Sequence, residues 1–388
     1  MKKFLALLLA LVMSLSLVAC GGGDDTAADG GADAEDGGNA ETAAYQVAMI
    51  TDYGDITDQS FNQTTYEACQ EFCDAEGLQF EYYKPAGDST AERVAMVDAA
   101  VADGYNVIVM PGYAFAETIK ETAELYPDVT FIALDVAQGD LDPNGEGYTL
   151  PSNVYCAVYQ EELCGYMAGY AAVKLGYTHL GVLGGMAVPA VQRFGYGFVQ
   201  GADAAAVEMG IADQVVMEYV YGNQFFGDSD ITAYMDNWYQ TLGVEVVFAS
   251  GGGIYTSAAE AAAKVGGKLI GVDVDQSANI DTYGEGMCVT SAMKGLAETV
   301  QHMLSEVVAG NFANYGGKIE TLGLVSGDDP TANYVQLPME TTQWGDGFTQ
   351  DDYKALVKAM YDGDVTVSND ISAMPATTIT VNFAGNIK

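Results

Sequence analysis

Val47-Ala-Met-Ile-Thr-Asp-Tyr-Gly-Asp-Ile-Thr-Asp-Gln-Ser-Phe-Asn-Gln63 passes from a short apolar strand, through a loop of carboxylates and an aromatic, into a helix. From Gln59 to Glu76 the residues at 61, 65, 68, 72 and 75 are apolar or small, which is a helical stripe, and Gly77 ends it. Phe80–Tyr83 then reads as a second strand. Strand, helix, strand within so few residues is the unit of a parallel sheet. The fold class follows from whether the rest of the chain repeats it.

It does. Ser89-Thr-Ala-Glu92 is a capping box that opens a helix ending at Gly104. Val107–Met110 and Val129–Leu134 read as strands, with a helix over Ala114–Tyr126 between them. Val154–Val158 reads as a crossing into a second lobe. Helices at 160–175, 190–208, 229–241 and 253–264 then alternate with strands at 179–183, 214–220, 245–249 and 268–272. Cys288–Met293 reads as another crossing strand before a helix at 295–309. The count predicts two doubly wound α/β lobes with parallel sheets. Such sheets place ligands beyond the carboxyl ends of their strands.

The loops at those ends carry chemistry. Asp52 to Asn62 follows the first strand, Pro111-Gly-Tyr-Ala-Phe115 the third, and Asp135 closes the fourth. In the second half stand Gly184–Pro189, Asn223-Gln-Phe-Phe226, Ser250-Gly-Gly-Gly253 and Gly271-Val-Asp-Val-Asp275. Carboxylates and aromatics thus recur where one cleft between two lobes would gather them. Each has a plainer use. Phe61 opens an apolar stripe and is also a core residue by pattern. Asp52 and Asp58 are placed to cap the first helix, the preferred reading for Asp58. Asp135 and Asp273 also suit turns, and Arg193 is expected to pair with a surface carboxylate.

The formal charge is −40; residues 1–44 hold two lysines and seven acids, so about −35 falls on the body, which has only two arginines. That field repels nucleic acid and phosphorylated ligands. Cys20 apart, the five cysteines Cys69, Cys73, Cys156, Cys164 and Cys288 cannot all pair with one another, and are expected as buried apolar side chains. No metal set and no cofactor motif is expected. Ser291-Ala-Met-Lys294 has the S-x-x-K spacing of penicillin-binding proteins, but the companion motifs are absent. An enzyme is not indicated.

Met1–Lys3 is basic, and Phe4–Val18 is an apolar run too short to span a bilayer. Leu17-Val-Ala-Cys20 follows and resembles a bacterial lipobox, with Cys20 the expected lipidation site after a signal peptide at 1–19. Residues 20–44 are Gly- and Asp-rich and read as a tether spanning roughly 25–30 Å. An exported protein anchored on the outer face of the membrane is expected.

The segments Asp52…Asp58-Gln-Ser-Phe-Asn-Gln63, Phe131-Ile-Ala-Leu-Asp135, Glu161-Glu-Leu-Cys-Gly-Tyr-Met-Ala-Gly-Tyr170 and Gly271-Val-Asp-Val-Asp275 resemble, in order, the basic membrane protein family of PnrA-like nucleoside-binding lipoproteins. The resemblance runs from about Tyr45 to Gly310. It implies a type I periplasmic-binding-protein fold, α/β, with two doubly wound parallel-sheet lobes joined by three crossovers. Lobe one would hold 45–156 and about 287–313; lobe two would hold about 157–286 and 314–388. It implies a nucleoside ligand, a purine foremost, handed to an ABC permease by a monomer without cofactor. It makes Phe61 one face for the base and Phe225 a second, with Phe226 leaving that register open. Asp52 and Asn62 would meet the base edge, Asp135 the base or sugar, Asp273 the ribose hydroxyls, and Lys294 the sugar region. Phe115 and Gly251 join the set from the matching loops. The alternatives are the same fold carrying a sugar or small signalling molecule, and an exported α/β hydrolase.

Overall fold

A computed structural model describes residues 45–387. The expected signal peptide, the lipidation site Cys20 and the tether lie outside the described residues.

The chain begins with β1 (Gln46–Ile50), α1 (Phe61–Glu76), β2 (Gln79–Tyr83), α2 (Thr90–Ala102), β3 (Val107–Pro111), α3 (Ala116–Thr122), β4 (Thr130–Leu134), the single turn α4 (Gln138–Leu141) and β5 (Val154–Tyr159). It continues with α5 (Glu161–Lys174), β6 (His179–Gly184), α6 (Pro189–Met209), β7 (Val216–Tyr221), α7 (Ser229–Asn237), β8 (Val246–Ser250), α8 (Tyr255–Ala263), β9 (Lys268–Asp273), the turn α9 (Ser277–Ile280) and β10 (Cys288–Lys294). Then come α10 (Leu296–Val308), β11 (Lys318–Leu322), β12 (Val335–Gln336), α11 (Gln350–Tyr361) and β13 (Thr380–Asn386).

Two sheets result. The first has the order β11-β5-β4-β3-β1-β2, the second β12-β10-β9-β8-β6-β7-β13. Every pairing is parallel except the short β12 against β10. The central strands β3 and β8 are buried along their whole length, as parallel strands covered by helices on both faces must be. Helix α10 buries Val300, Met303, Leu304 and Val307, one face at helical spacing. Helix α1 stops at Gly77 in the left-handed conformation, φ 68°. All five described cysteines are buried and free. Among the described residues no helix is long and apolar enough to cross a membrane.

The chain passes between the lobes three times: after β5, between β10 and α10, and between β11 and β12. These crossings are stitched together. Gln160 N donates to Leu322 O, Gly295 N to Tyr334 O, and Tyr334 N to Gly323 O, at 2.7–3.0 Å. Two expectations change. Residues 288–294, expected in lobe one, form β10 of lobe two's sheet, paired in parallel with β9. Residues 318–322, expected in lobe two, form the edge strand of lobe one's sheet, in register from Lys318↔Tyr155 to Leu322↔Tyr159. The alternation Lys-Ile-Glu-Thr-Leu suits a half-exposed edge, and Tyr155 Oη anchors it by donating to Glu320 Oε2 at 3.0 Å. The later tail does join the second sheet, through β12 and β13.

Candidate ligand-binding cleft

The carboxyl ends of the strands face one another across a cavity of about 650 Å³. From lobe one it is lined by Asp52, Phe61, Asn62 and Asp135; from lobe two by Phe225, Gly251 and Asp273, with Lys294 at a crossing. Phe115 is not among them. Its ring is wholly buried in the core packed against β3 and β4, and Tyr113, two residues earlier, lines the cleft instead. The short 3-10 turn at Tyr113–Phe115 sends the two rings in different directions.

Lys294 organises the floor. Its Nζ lies 2.6 Å from Asp135 Oδ2, 3.4 Å from Glu161 Oε1 and 3.8 Å from Asp273 Oδ1. Burial alone lowers this ammonium, and the three carboxylates more than reverse that, leaving it well above the ordinary lysine range. Glu161, wholly buried at the start of α5, is held from its other side by Arg193 Nε at 2.6 Å. The partner of Arg193 is thus a buried carboxylate, not the surface one expected from sequence. Burial pushes Asp135 up to about 6 against the pull of Lys294. Burial also raises Asp273, opposed by Lys294 and by Ser60 Oγ, which donates to Asp273 Oδ2 at 2.6 Å across the lobes.

Asp135 and Asp273 both sit at positive φ, 60° and 66°, as does Asn223 at 60°. Backbone that side chains avoid is retained where it aims a group at a site. Asp135 Oδ1, Asn62 Oδ1 and Ser250 Oγ are buried and have no hydrogen-bond partner among the described residues, and all three residues line the cleft.

The aromatic walls come from both lobes. Phe225 stacks on Tyr53, ring centroids 6.2 Å apart and planes 24° from parallel. Phe226 also lines the cleft but is 63% exposed, whereas Phe225 is partly buried against the core. The ring passes over Gly251, φ 156°, where a Cβ would lie 2.9 Å from Gly185 Cα and 3.1 Å from Phe225 Cδ1; only glycine fits. Phe61 carries the Lys294 ammonium 4.6 Å from its ring centre, a cation–π contact.

Asp52 and Asp58 follow different rules. Asp52 Oδ1 accepts from Tyr53 N at 2.6 Å and Gly54 N at 2.8 Å; burial still pushes its carboxyl up to about 6. Asp58 caps α1 as expected, accepting from the N–H groups of Ser60, Asn62 and Gln63 and from Asn62 Nδ2. Burial raises it against those four bonds. Tyr53, Ser60, Glu161 and Ser250 escaped the sequence reading. Tyr53 had the best signal, an aromatic directly after a strand-end carboxylate. Ser291 and Lys294 stand three apart on β10, so they point to opposite faces of the strand. Ser291 Oγ accepts from Gln276 N, and the S-x-x-K spacing makes no catalytic pair.

Two α/β lobes joined by three crossings around one polar and aromatic cleft are the architecture of a solute-binding protein. The chain belongs to the family of PnrA-like ABC transporter substrate-binding proteins, whose pattern matches residues 45–328. It is 26% identical over 340 residues to a CD4+ T-cell-stimulating antigen of Listeria innocua, covering 82% of this chain and 87% of that one. It is 24% identical over 300 residues to the ABC transporter nucleoside-binding protein BmpA of Lactococcus lactis, covering 73% and 80%. A solved ABC-transporter solute-binding protein from Aeropyrum pernix K1 shares the fold, with TM-score 0.63, 24% identity and coverage of 84% and 88%. The fold is thus of the type I periplasmic-binding kind, and the protein is a binding component of a transport system, not an enzyme.

Proposed function

We propose that this protein captures an uncharged nucleoside, a purine foremost, in the interlobe cleft and delivers it to an ABC importer in the membrane to which Cys20 anchors it. The carrying observation is the set of three buried, unpartnered polar atoms, Asn62 Oδ1, Asp135 Oδ1 and Ser250 Oγ, in one aromatic-lined cavity. Leaving such an atom unpaired costs about 1–3 kcal/mol, and a ligand with donors on a flat ring and on a sugar removes that cost. Phe61, Tyr53 and Phe225 offer faces for the ring, where stacking contributes about 1–3 kcal/mol per base. Asp135 and Asp273 suit the ribose hydroxyls, which donate to carboxylates in charge-assisted bonds. Six aspartates and a single, already engaged ammonium line the cavity, a set that favours a nucleoside over its phosphates. The Lactococcus relative's name points to the same cargo.

Calorimetry with nucleosides, their monophosphates and free sugars tests this. Nucleosides are expected to bind and monophosphates to bind far more weakly; sugars binding where nucleosides do not would overturn it. Asp273→Ala should weaken nucleoside binding at least about tenfold, the worth of a charged hydrogen bond, while the protein remains folded. Unchanged affinity removes Asp273 from the site.

A further inference from the structure

Asn62 is the one base-edge candidate whose two polar atoms differ in kind. An amide presents an acceptor on one side and a donor on the other, and which side faces a ligand is decided by the neighbours. Here the neighbour is Asp58. Its Oδ1 accepts from Ser60 N at 2.9 Å and Gln63 N at 3.1 Å. Its Oδ2 accepts from Asn62 N and from Asn62 Nδ2, both at 3.0 Å. Four N–H donors occupy the roughly four lone-pair sites of a carboxylate. An Asn62 amide turned the other way would set its carbonyl against Asp58 Oδ2, acceptor against acceptor. Asn62 Oδ1 is therefore the amide atom left for the cleft, and it is buried without a partner.

We propose that Asp58 is a specificity-determining positioning residue: by fixing the Asn62 amide it makes the cleft demand an N–H donor from the base at that point, and reject a base that offers a ring acceptor or nothing there. This deepens the nucleoside reading and rests on it. The chemical class selected is a purine nucleoside bearing an exocyclic amino donor. The helix cap is a second duty of the same carboxylate. Capping alone would be served by any acceptor at position 58; polarity control requires one that cannot donate.

The test uses two pairs of probes that differ by one exocyclic amino group, adenosine with purine riboside and guanosine with inosine. In the wild type at least one pair should differ about tenfold or more in Kd, the cost of an unpaired buried acceptor. Asp58→Asn keeps an acceptor for the cap but lets the contact with Asn62 run in either direction, so that ratio should shrink to about threefold or less while the protein stays folded. The double variant D58N/N62D reverses the contact, with position 58 donating to a carboxylate at 62, and should restore the preference for the amino-bearing member. A ratio unchanged in D58N, or not regained in the double variant, overturns the proposal. Should D58N not fold, nitrogen NMR of the wild type decides: the Asn62 amide protons should exchange slowly and stay in place on ligand addition, and a shift showing that they donate to ligand overturns it. If no purine nucleoside binds the wild type, the cargo reading fails and this proposal with it; binding with an unaltered D58N ratio removes this proposal alone.

Discussion

The seam between α5 and α6 and the floor of the ligand cleft are both buried, by opposite means. In the seam, shape alone does it. Gly165, Gly169, Gly197 and Gly201 let the helices touch so closely that an added Cβ would lie 2.0–2.2 Å from a carbonyl oxygen of the facing helix. In the cleft, charge does it. Lys294, Asp135, Glu161 and Asp273 crowd together, with backbone held at positive φ to aim them. The two regions meet: Glu161 begins α5 and Arg193 lies in α6, so the seam holds the pair that anchors Lys294. Rigid packing beneath thus allows the cleft to keep buried atoms unpaired without collapsing onto them.

That contrast predicts which property each substitution moves. The largest effect belongs to Lys294→Met, which leaves Asp135 and Glu161 buried without their shared cation. Removing one member of a buried ion pair costs about 3–5 kcal/mol, so urea unfolding should shift by that amount. A change below about 1 kcal/mol would mean the network is not what closes the cleft floor. Gly169→Ala comes next. Its Cβ would meet Phe198 O at 2.1 Å, and overpacking of this kind costs about 1–3 kcal/mol. Ligand affinity of the folded protein should not change. Lost affinity with stability spared would erase the division between the two regions.

The doubly wound rhythm was legible because buried parallel strands are uninterrupted apolar runs and the helices between them carry stripes and stops. Asp135 and Asp273 were legible for the same reason: each is the first polar residue after such a run. What failed to show is what depends on facing. Phe115 and Tyr113 sit in one short turn, and no pattern of two residues tells which ring enters the core. Glu161 lay inside a quoted motif, yet its partners Arg193 and Lys294 come from distant segments. The edge strand at 318–322 pairs with β5 after a long excursion through lobe two, and local alternation carries no record of which sheet it joins. Tyr53 and Ser60 act across the lobes, on Phe225 and Asp273, a relation that exists only in the folded chain.

The smallest effect concerns pH, and Asp52 isolates it. Burial lifts its carboxyl to about 6, whereas an unfolded chain releases that proton near pH 4. The folded protein therefore holds more protons than the unfolded one across that interval, and the stability of the unliganded protein falls as pH rises from about 4 to 6. Under the proposed function binding runs the other way, because the ionised carboxylate would be the acceptor for a donor on the base. With a midpoint at about 6, roughly a tenth of Asp52 is ionised at pH 5 and nine-tenths at pH 7, so affinity should rise up to about tenfold, or 1.4 kcal/mol. Asp135 titrates in the same range, beside Lys294, so the informative quantity is the difference between wild type and Asp52→Asn. The variant should show a flatter rise in calorimetric affinity and lose less stability over pH 4 to 6. Parallel affinity curves would take Asp52 out of ligand contact and leave it a buried carboxyl held by the N–H groups of Tyr53 and Gly54, a residue of the packed scaffold and not of the cleft.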